Sequence, residues 1–172
     1  MNGTVILATP EQMESHIGEL ADILIDCVED GASVTFMFPL DRDTAIEYWR
    51  GVLDDVCRKD TVPFLAIVDS QVAGVVLLYP KTLPVQPHVA EVCKLLVPRK
   101  FRRQGLARLL MEALESEALK RNRNLLVLDT IKNSSAEKLY LNLGYKLSGI
   151  IPNFALLPDG QRCESVILYK QL

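Results

Sequence analysis

Val97-Pro98-Arg99-Lys100-Phe101-Arg102-Arg103-Gln104-Gly105-Leu106-Ala107-Arg108 joins two very different patterns. Upstream, the apolar run from His88 to Val97 reads as a strand. Downstream, Leu106, Leu109, Leu110, Ala113 and Leu114 recur at the 3.6-residue period, which predicts a helix from Gly105 to Lys120. A helix start carries unpaired N–H groups and the positive end of the macrodipole. Glycine at the turn lets backbone approach an anion, and Ala107 keeps the first turn small. One such contact is worth about 0.3–1 kcal/mol at an exposed site, and several N–H groups converging on a pyrophosphate give more. Arg102, Arg103, Gln104, Gly105, Leu106, Ala107 and Arg108 therefore read as a seat for the phosphates of a nucleotide-like ligand. The alternative is a solvated basic patch from Arg99 to Arg103. The stretch is neither a Walker loop nor a GxGxxG dinucleotide loop.

Outward from this point the chain alternates strands with helices. Before it come a strand at Thr4 to Ala8, a helix from Pro10 to about Val28, and a helix capped by Asp41 that ends near Lys59. Two strands follow, Pro63 to Asp69 and Val72 to Tyr79, joined by a hairpin turn. The glycine- and proline-bounded but apolar stretch Gly31 to Pro39 reads as a packed lid or a wall of a binding site. After the Gly105 helix come a strand at Leu125 to Thr130, expected to be buried on both faces, and a helix from Ser134 to Leu143 with Gly144 closing it. Strands at Lys146 to Ala155 and Arg162 to Lys170 end the chain, with Pro158-Asp159-Gly160 as their turn. The order βααβββαβαββ predicts an α/β fold: a mixed central sheet flanked by helices, in a single domain spanning residues 1–172.

The composition suits a soluble globular chain: 49% apolar, 24% charged, formal net charge −3 over 172 residues. A net acidic balance argues against a nucleic-acid partner. No apolar run approaches the ~18 residues of a membrane span, and the N-terminus lacks a signal-peptide pattern. Cys27, Cys57, Cys93 and Cys163 are widely spaced and read as reduced, mostly buried thiols of a cytoplasmic protein. With His16 and His88 they form no metal-ligand spacing, so no metal is expected.

Arg102-Arg103-Gln104-Gly105-Leu106-Ala107 resembles the R/Q-x-x-G-x-G/A signature of the GNAT superfamily of N-acetyltransferases. Asn133 to Tyr145 resembles that family's N-x-x-A-x-x-x-Y-x-x-x-G-aromatic helix, in the expected order and separation. The narrower stretches Gly31 to Val34, Ala90 to Leu95, Leu128 to Thr130 and Pro158 to Gly160 are similar to acetyltransferases of the tabtoxin-resistance type. The resemblance implies acetyl-CoA as cosubstrate and direct transfer of acetyl to a primary amine. The implied acceptor is a small molecule such as an amino acid, toxin or antibiotic. A protein N-terminus or lysine is the alternative acceptor, and a non-catalytic acyl-CoA sensor the alternative class. A monomer or a homodimer is compatible with all of these.

Given that chemistry, Glu91 is the first candidate base, a carboxylate inside an apolar strand. Its alternative is a structural glutamate paired with a lysine or arginine. Asp129 is the second base, ending the next parallel strand where α/β sites gather. Tyr140 matches the family tyrosine near the cofactor sulfur, able to protonate the leaving thiolate. Backbone groups of Leu95, Leu96 and Val97 are expected to meet the oxyanion and pantetheine, with Asn133 and Ala136 lining the channel. Ser33, Phe36 and Asn153 are the candidate contacts for the acceptor. Cys93 lies on the face of Glu91, but no histidine stands ready to activate it as a nucleophile.

Overall fold

Side-chain caps set where the helices begin. Thr9 closes a capping box with Gln12 over α1 (Pro10–Ser15), Asp41 accepts from the Thr44 N–H at 2.8 Å over α3 (Arg42–Cys57), and Ser134 caps α5 (Ser135–Asn142). Between these lie α2 (Ile17–Glu29) and α4 (Leu106–Lys120). The strands are β1 (Thr4–Leu7), β2 (Val62–Val68), β3 (Gln71–Pro80), β4 (Val89–Leu96), β5 (Leu125–Ile131), β6 (Lys146–Leu156) and β7 (Arg162–Gln171). The computed structural model describes residues 3–172.

The seven strands form one sheet in the order β1-β2-β3-β4-β5-β7-β6. Every neighbouring pair is antiparallel except β4 and β5, which the α4 crossover makes parallel. On one face, α4 and α5 pack over Val76, Leu78, Ala90, Val92, Leu126 and Leu128. On the other, α1 to α3 cover Leu65, Val75, Leu77 and Leu96 around the fully buried Trp49. Leu110, Met111 and Leu114 of α4 are fully buried, and truncating one such side chain costs about 2–5 kcal/mol. Gly74 of β3 permits this contact: a Cβ there would meet the Leu96 carbonyl at 3.0 Å and Leu110 at 3.2 Å.

Two expectations need correction. The helix expected from Pro10 to Val28 is two helices broken at His16, whose φ of −107° and ψ of 9° leave the helical region. The order is therefore βαααβββαβαββ. Apolar burial runs straight through the break from Met13 to Leu20, so periodicity alone does not reveal it. Second, β5 is not buried on both faces. Leu126 and Leu128 are buried, but Leu125 and Val127 are half-buried and Asp129 is exposed. The α1–α3 layer contacts β3 and β4 and leaves that side of β5 open.

Candidate active site

The parallel pairing of β4 and β5 is short. It runs through Val89–Leu125, Ala90–Leu126 and Glu91–Val127 and then stops. Past Glu91 the two strands separate, and the facing backbone groups of β4 from Val92 onward have no β5 partner. β4 also carries a bulge: Leu77 pairs with Cys93 and Val75 with Leu96, so Lys94 and Leu95 together oppose Val76. Lys94 takes a φ of 53° in that bulge. The split opens a cavity of about 890 Å³.

One end of the cavity is the start of α4. Gly105 is its N-cap with a φ of 80°, a conformation that favours glycine, and a Cβ there would project into space free of protein atoms to 4 Å. Leu109 is bonded to Gly105 O at 3.1 Å, which leaves the N–H groups of Leu106, Ala107 and Arg108 without helical partners. These residues, Gly105 and Arg103 all line the cavity. The open space at Gly105 and the free N–H groups fit a pyrophosphate.

The arginines divide into two kinds. Arg99 donates its backbone N–H and Nε to Asp26 at 2.7 and 2.8 Å, and its Nη2 to Glu29 at 2.9 Å. Arg102 donates to Asp30 and, through Nε, to the Val97 carbonyl at 3.0 Å. Both therefore tie the loop to the C-terminal end of α2. Arg103, exposed and lining the cavity, and Arg108, only loosely paired with Glu112 at 3.8 Å, keep their charge for a ligand. Gln104 does not join the wall; its amide donates to Lys100 O at 3.5 Å.

The middle of the cavity is walled by Leu95 and Leu96 of β4, Val97 just beyond it, Asp129 of β5, and Ala136 and Tyr140 of α5. Asp129 and Tyr140 approach the gap from opposite faces of the sheet, Asp129 from the open side and Tyr140 from the α5 core. Asp129 accepts from Ser165 Oγ at 2.9 Å. Tyr140 is 6% exposed, and burial above all, with the nearby Asp129 carboxylate adding to it, holds its phenol protonated well above the ordinary range. A carboxylate and a protonated phenol flanking one gap supply a proton acceptor and a proton donor.

Glu91 stands outside this wall. It is ion-paired with Lys81, the arrangement weighed against a base role, and accepts from Cys93 Sγ at 3.5 Å. The Cys93 thiol is pushed up to about 12 by burial and then by Glu91, so it stays protonated near neutral pH. Asn133 also lies outside the wall, in a left-handed turn whose N–H bonds Glu137. Asn153 sits with a φ of 54° in an irregular part of β6 and does not reach the cavity.

The far end is roofed by Ser33 to Met37, with Ser33 and Phe36 among the lining residues. Ser33 Oγ donates to Leu156 O at 3.1 Å and the Phe38 N–H to Pro158 O at 3.0 Å, pinning the roof to the β6–β7 hairpin. Lys94 reaches the roof from below, donating to Thr35 Oγ1 at 2.9 Å. Thr35 falls in the stretch read as a lid or wall, but Lys94 is not legible as a site residue in the sequence. Regular alternation sends Lys94 to the face opposite Cys93, and only the bulge turns it into the cavity. Glu29 and Asp30, at the end of α2, are ion-paired with Arg99 and Arg102.

A split parallel pair beside a helix start with free N–H groups is an arrangement able to take an extended ligand that carries phosphates. Residues 14–145 match the model of the acetyltransferase (GNAT) family. Solved structures share the fold. A ribosomal-protein-alanine N-acetyltransferase from Brucella melitensis superposes with a TM-score of 0.82 at 20% identity, covering 98% of this chain and 99% of its own. An N-acetyltransferase from Staphylococcus aureus Mu50 gives 0.79 at 20% identity, covering 99% of each. The YncA protein of Salmonella typhimurium, solved with its cofactor acetyl-CoA, gives 0.80 at 16% identity, covering 100% and 95%. The chain belongs to the acetyltransferase (GNAT) family. It is an N-acetyltransferase that uses acetyl-CoA. Among the described residues no group of His, Cys, Asp and Glu is arranged to hold a metal ion, and no helix is long and apolar enough to cross a membrane.

Proposed function

We propose that this enzyme acetylates the primary amine of a small, amino-acid-like molecule by direct transfer, with residues 1–172 acting as one cytoplasmic domain, monomeric or homodimeric. The observation that carries the acceptor class is the roof segment: Ser33 to Met37 lines the cavity, and it is pinned to the β6–β7 hairpin at Leu156 and Pro158. A pinned wall suits a small acceptor, whereas a polypeptide needs that wall moved aside. The narrower likeness to tabtoxin-resistance acetyltransferases points the same way. The second reading, a protein N-terminus, is the acceptor in the name of the Brucella protein, and it requires the roof to lift.

Bound acetyl-CoA supplies the acetyl thioester. The N–H groups at the start of α4, with Arg103 and Arg108, hold its phosphates. The edge of β4 at Leu95 and Leu96, continued by Val97, whose carbonyl is already bonded by Arg102, holds the pantetheine as an added strand beside Ala136. Asp129 takes the proton of the acceptor ammonium, directly or through a water, so that the nitrogen lone pair forms the new C–N bond. An N–H of Leu95 or Leu96 receives the oxyanion that develops on the carbonyl oxygen. As the C–S bond breaks, Tyr140 gives its proton to the departing sulfur; the second proton that the acceptor nitrogen sheds in becoming an amide returns to the Tyr140 oxygen through water, and the proton held by Asp129 leaves to solvent. Glu91, held behind Cys93 by Lys81, is the second candidate base, acting through a water chain. Ser33 and Phe36 contact the acceptor from the roof.

Thiol release from acetyl-CoA over a panel of primary amines tests this reading. Transfer to small amines is expected, and transfer to N-terminal peptides alone would overturn it.

A further inference from the structure

Four lysines are half-buried: Lys81, Lys94, Lys132 and Lys170. Three of them carry a carboxylate, Lys81 with Glu91, Lys132 with Glu164 at 2.9 Å and Lys170 with Glu115 at 2.6 Å. Lys94 does not. Its Nζ donates to Thr35 Oγ1 at 2.9 Å and lies 5.6 Å from the centre of the Tyr48 ring. An ammonium has three donors and a full charge, so two donors remain without a hydrogen-bond partner in the protein, and the charge has the Tyr48 ring beside it but no carboxylate at ion-pair distance. Withdrawing a charge from water without an ionic partner is costly, and burial lowers the affinity of Lys94 for its proton despite the carboxylates of Glu91 and Asp129 further off.

The place of this charge gives it a use. Lys94 and Asp129 line the same cavity, one on β4 and the other on β5. A cation and an anion across one pocket are complementary to a zwitterion. The bulge with its left-handed Lys94 is what turns the lysine inward.

We propose that Lys94 is a specificity residue that binds a carboxylate carried by the acceptor beside its amine, which makes the acceptor an α-amino acid or a close analogue. This rests on the small-molecule reading above. The acceptor's ammonium faces Asp129 while its carboxylate takes the free Lys94 donors. Thr35, from the roof, fixes the lysine head.

The test compares the common L-amino acids with their primary amides in the thiol-release assay, for the wild type, Lys94→Met and Lys94→Arg. The best acids are expected to exceed their amides in kcat/KM by a factor on the order of 100. Lys94→Met should erase that advantage, mainly through KM, and Lys94→Arg should restore part of it. Acetyl-CoA affinity, measured by titration, should be the same in all three proteins. Amides as good as acids in the wild type, or a Lys94→Met that lowers both series alike, would overturn the inference and leave the small-molecule reading intact. Transfer to neither series overturns the inference, and transfer to N-terminal peptides alone removes the small-molecule reading with it.

Discussion

Arg102 is tied to Asp30: its guanidinium bonds that carboxylate at the end of α2 and the Val97 carbonyl of its own loop. The arginine that opens the family signature lines the cavity but is held as a brace, so the proposed phosphate contacts are those of the N–H groups of Leu106 to Arg108 and of the Arg103 and Arg108 side chains. Arg102→Gln and Asp30→Asn should each weaken acetyl-CoA binding by a similar few-fold factor. The double variant should be no worse than the worse single one. A partly exposed pair of this kind couples by about 0.2–1 kcal/mol. Calorimetric titration checks this, and fully additive losses would put Arg102 on the phosphate itself.

Asp129 and Glu91 separate in their surroundings. Asp129 faces the cavity with only Ser165 as partner, whereas Glu91 is held by Lys81. Asp129→Asn should lower kcat by about 10²–10⁴-fold with acetyl-CoA affinity unchanged. Glu91→Gln should lower kcat less. Normal turnover in both variants would remove a carboxylate base from the reaction.

The Cys93 thiol, pushed up to about 12, is almost wholly protonated in a neutral assay. Cys93→Ala should keep most of the activity, and no acetylated enzyme should be seen by mass spectrometry when acetyl-CoA is added without acceptor. A stoichiometric mass gain of one acetyl group, lost in Cys93→Ala, would replace direct transfer by a covalent route.

Burial raises the phenols of Tyr48, Tyr140 and Tyr145 above their ordinary value of 10.0. Below about pH 10 these groups are protonated in both folded and unfolded chains, so their contribution to stability is fully present. Above it the unfolded chain releases protons that the folded chain keeps, and stability falls as pH rises. Tm should be flat between pH 8 and about pH 10 with respect to these groups and then decline. Tyr140→Phe should soften the decline by up to about 1.4 kcal/mol per pH unit. It should also lower kcat at neutral pH. An unchanged alkaline slope would contradict the burial argument.

The helix starts and the signature motifs were readable because they rest on local chemistry. Asp41 and Ser134 cap the helices that follow them, and Gly144 with its φ of 88° closes α5 as expected. The hairpin at Asp69-Ser70 has positive φ at both positions, a two-residue turn suited to the twist of its strands. What was not readable depends on partners distant in sequence. Nothing local tells Arg102, which meets Asp30, from Arg103, which meets solvent. The inward turn of Lys94 needs the β4 bulge, and the exposure of Asp129 needs the α1–α3 layer to stop short of β5. Asn133, Gln104 and Asn153 fell where motif spacing or loop position suggested a contact, but backbone turns and local bonds direct them elsewhere.

The central claim is that the start of α4 seats the phosphates of acetyl-CoA, and Gly105 tests it most directly. Its left-handed φ costs any other residue about 1–2 kcal/mol, so Gly105→Ala serves as the control for strain. Gly105→Glu adds a bulky anion to the space beside the free N–H groups. In calorimetric titration with acetyl-CoA, the wild type should bind, Gly105→Ala should bind more weakly, and Gly105→Glu should show no binding while keeping the far-ultraviolet circular dichroism of the wild type. Binding of acetyl-CoA to Gly105→Glu as tight as to the wild type would contradict the claim.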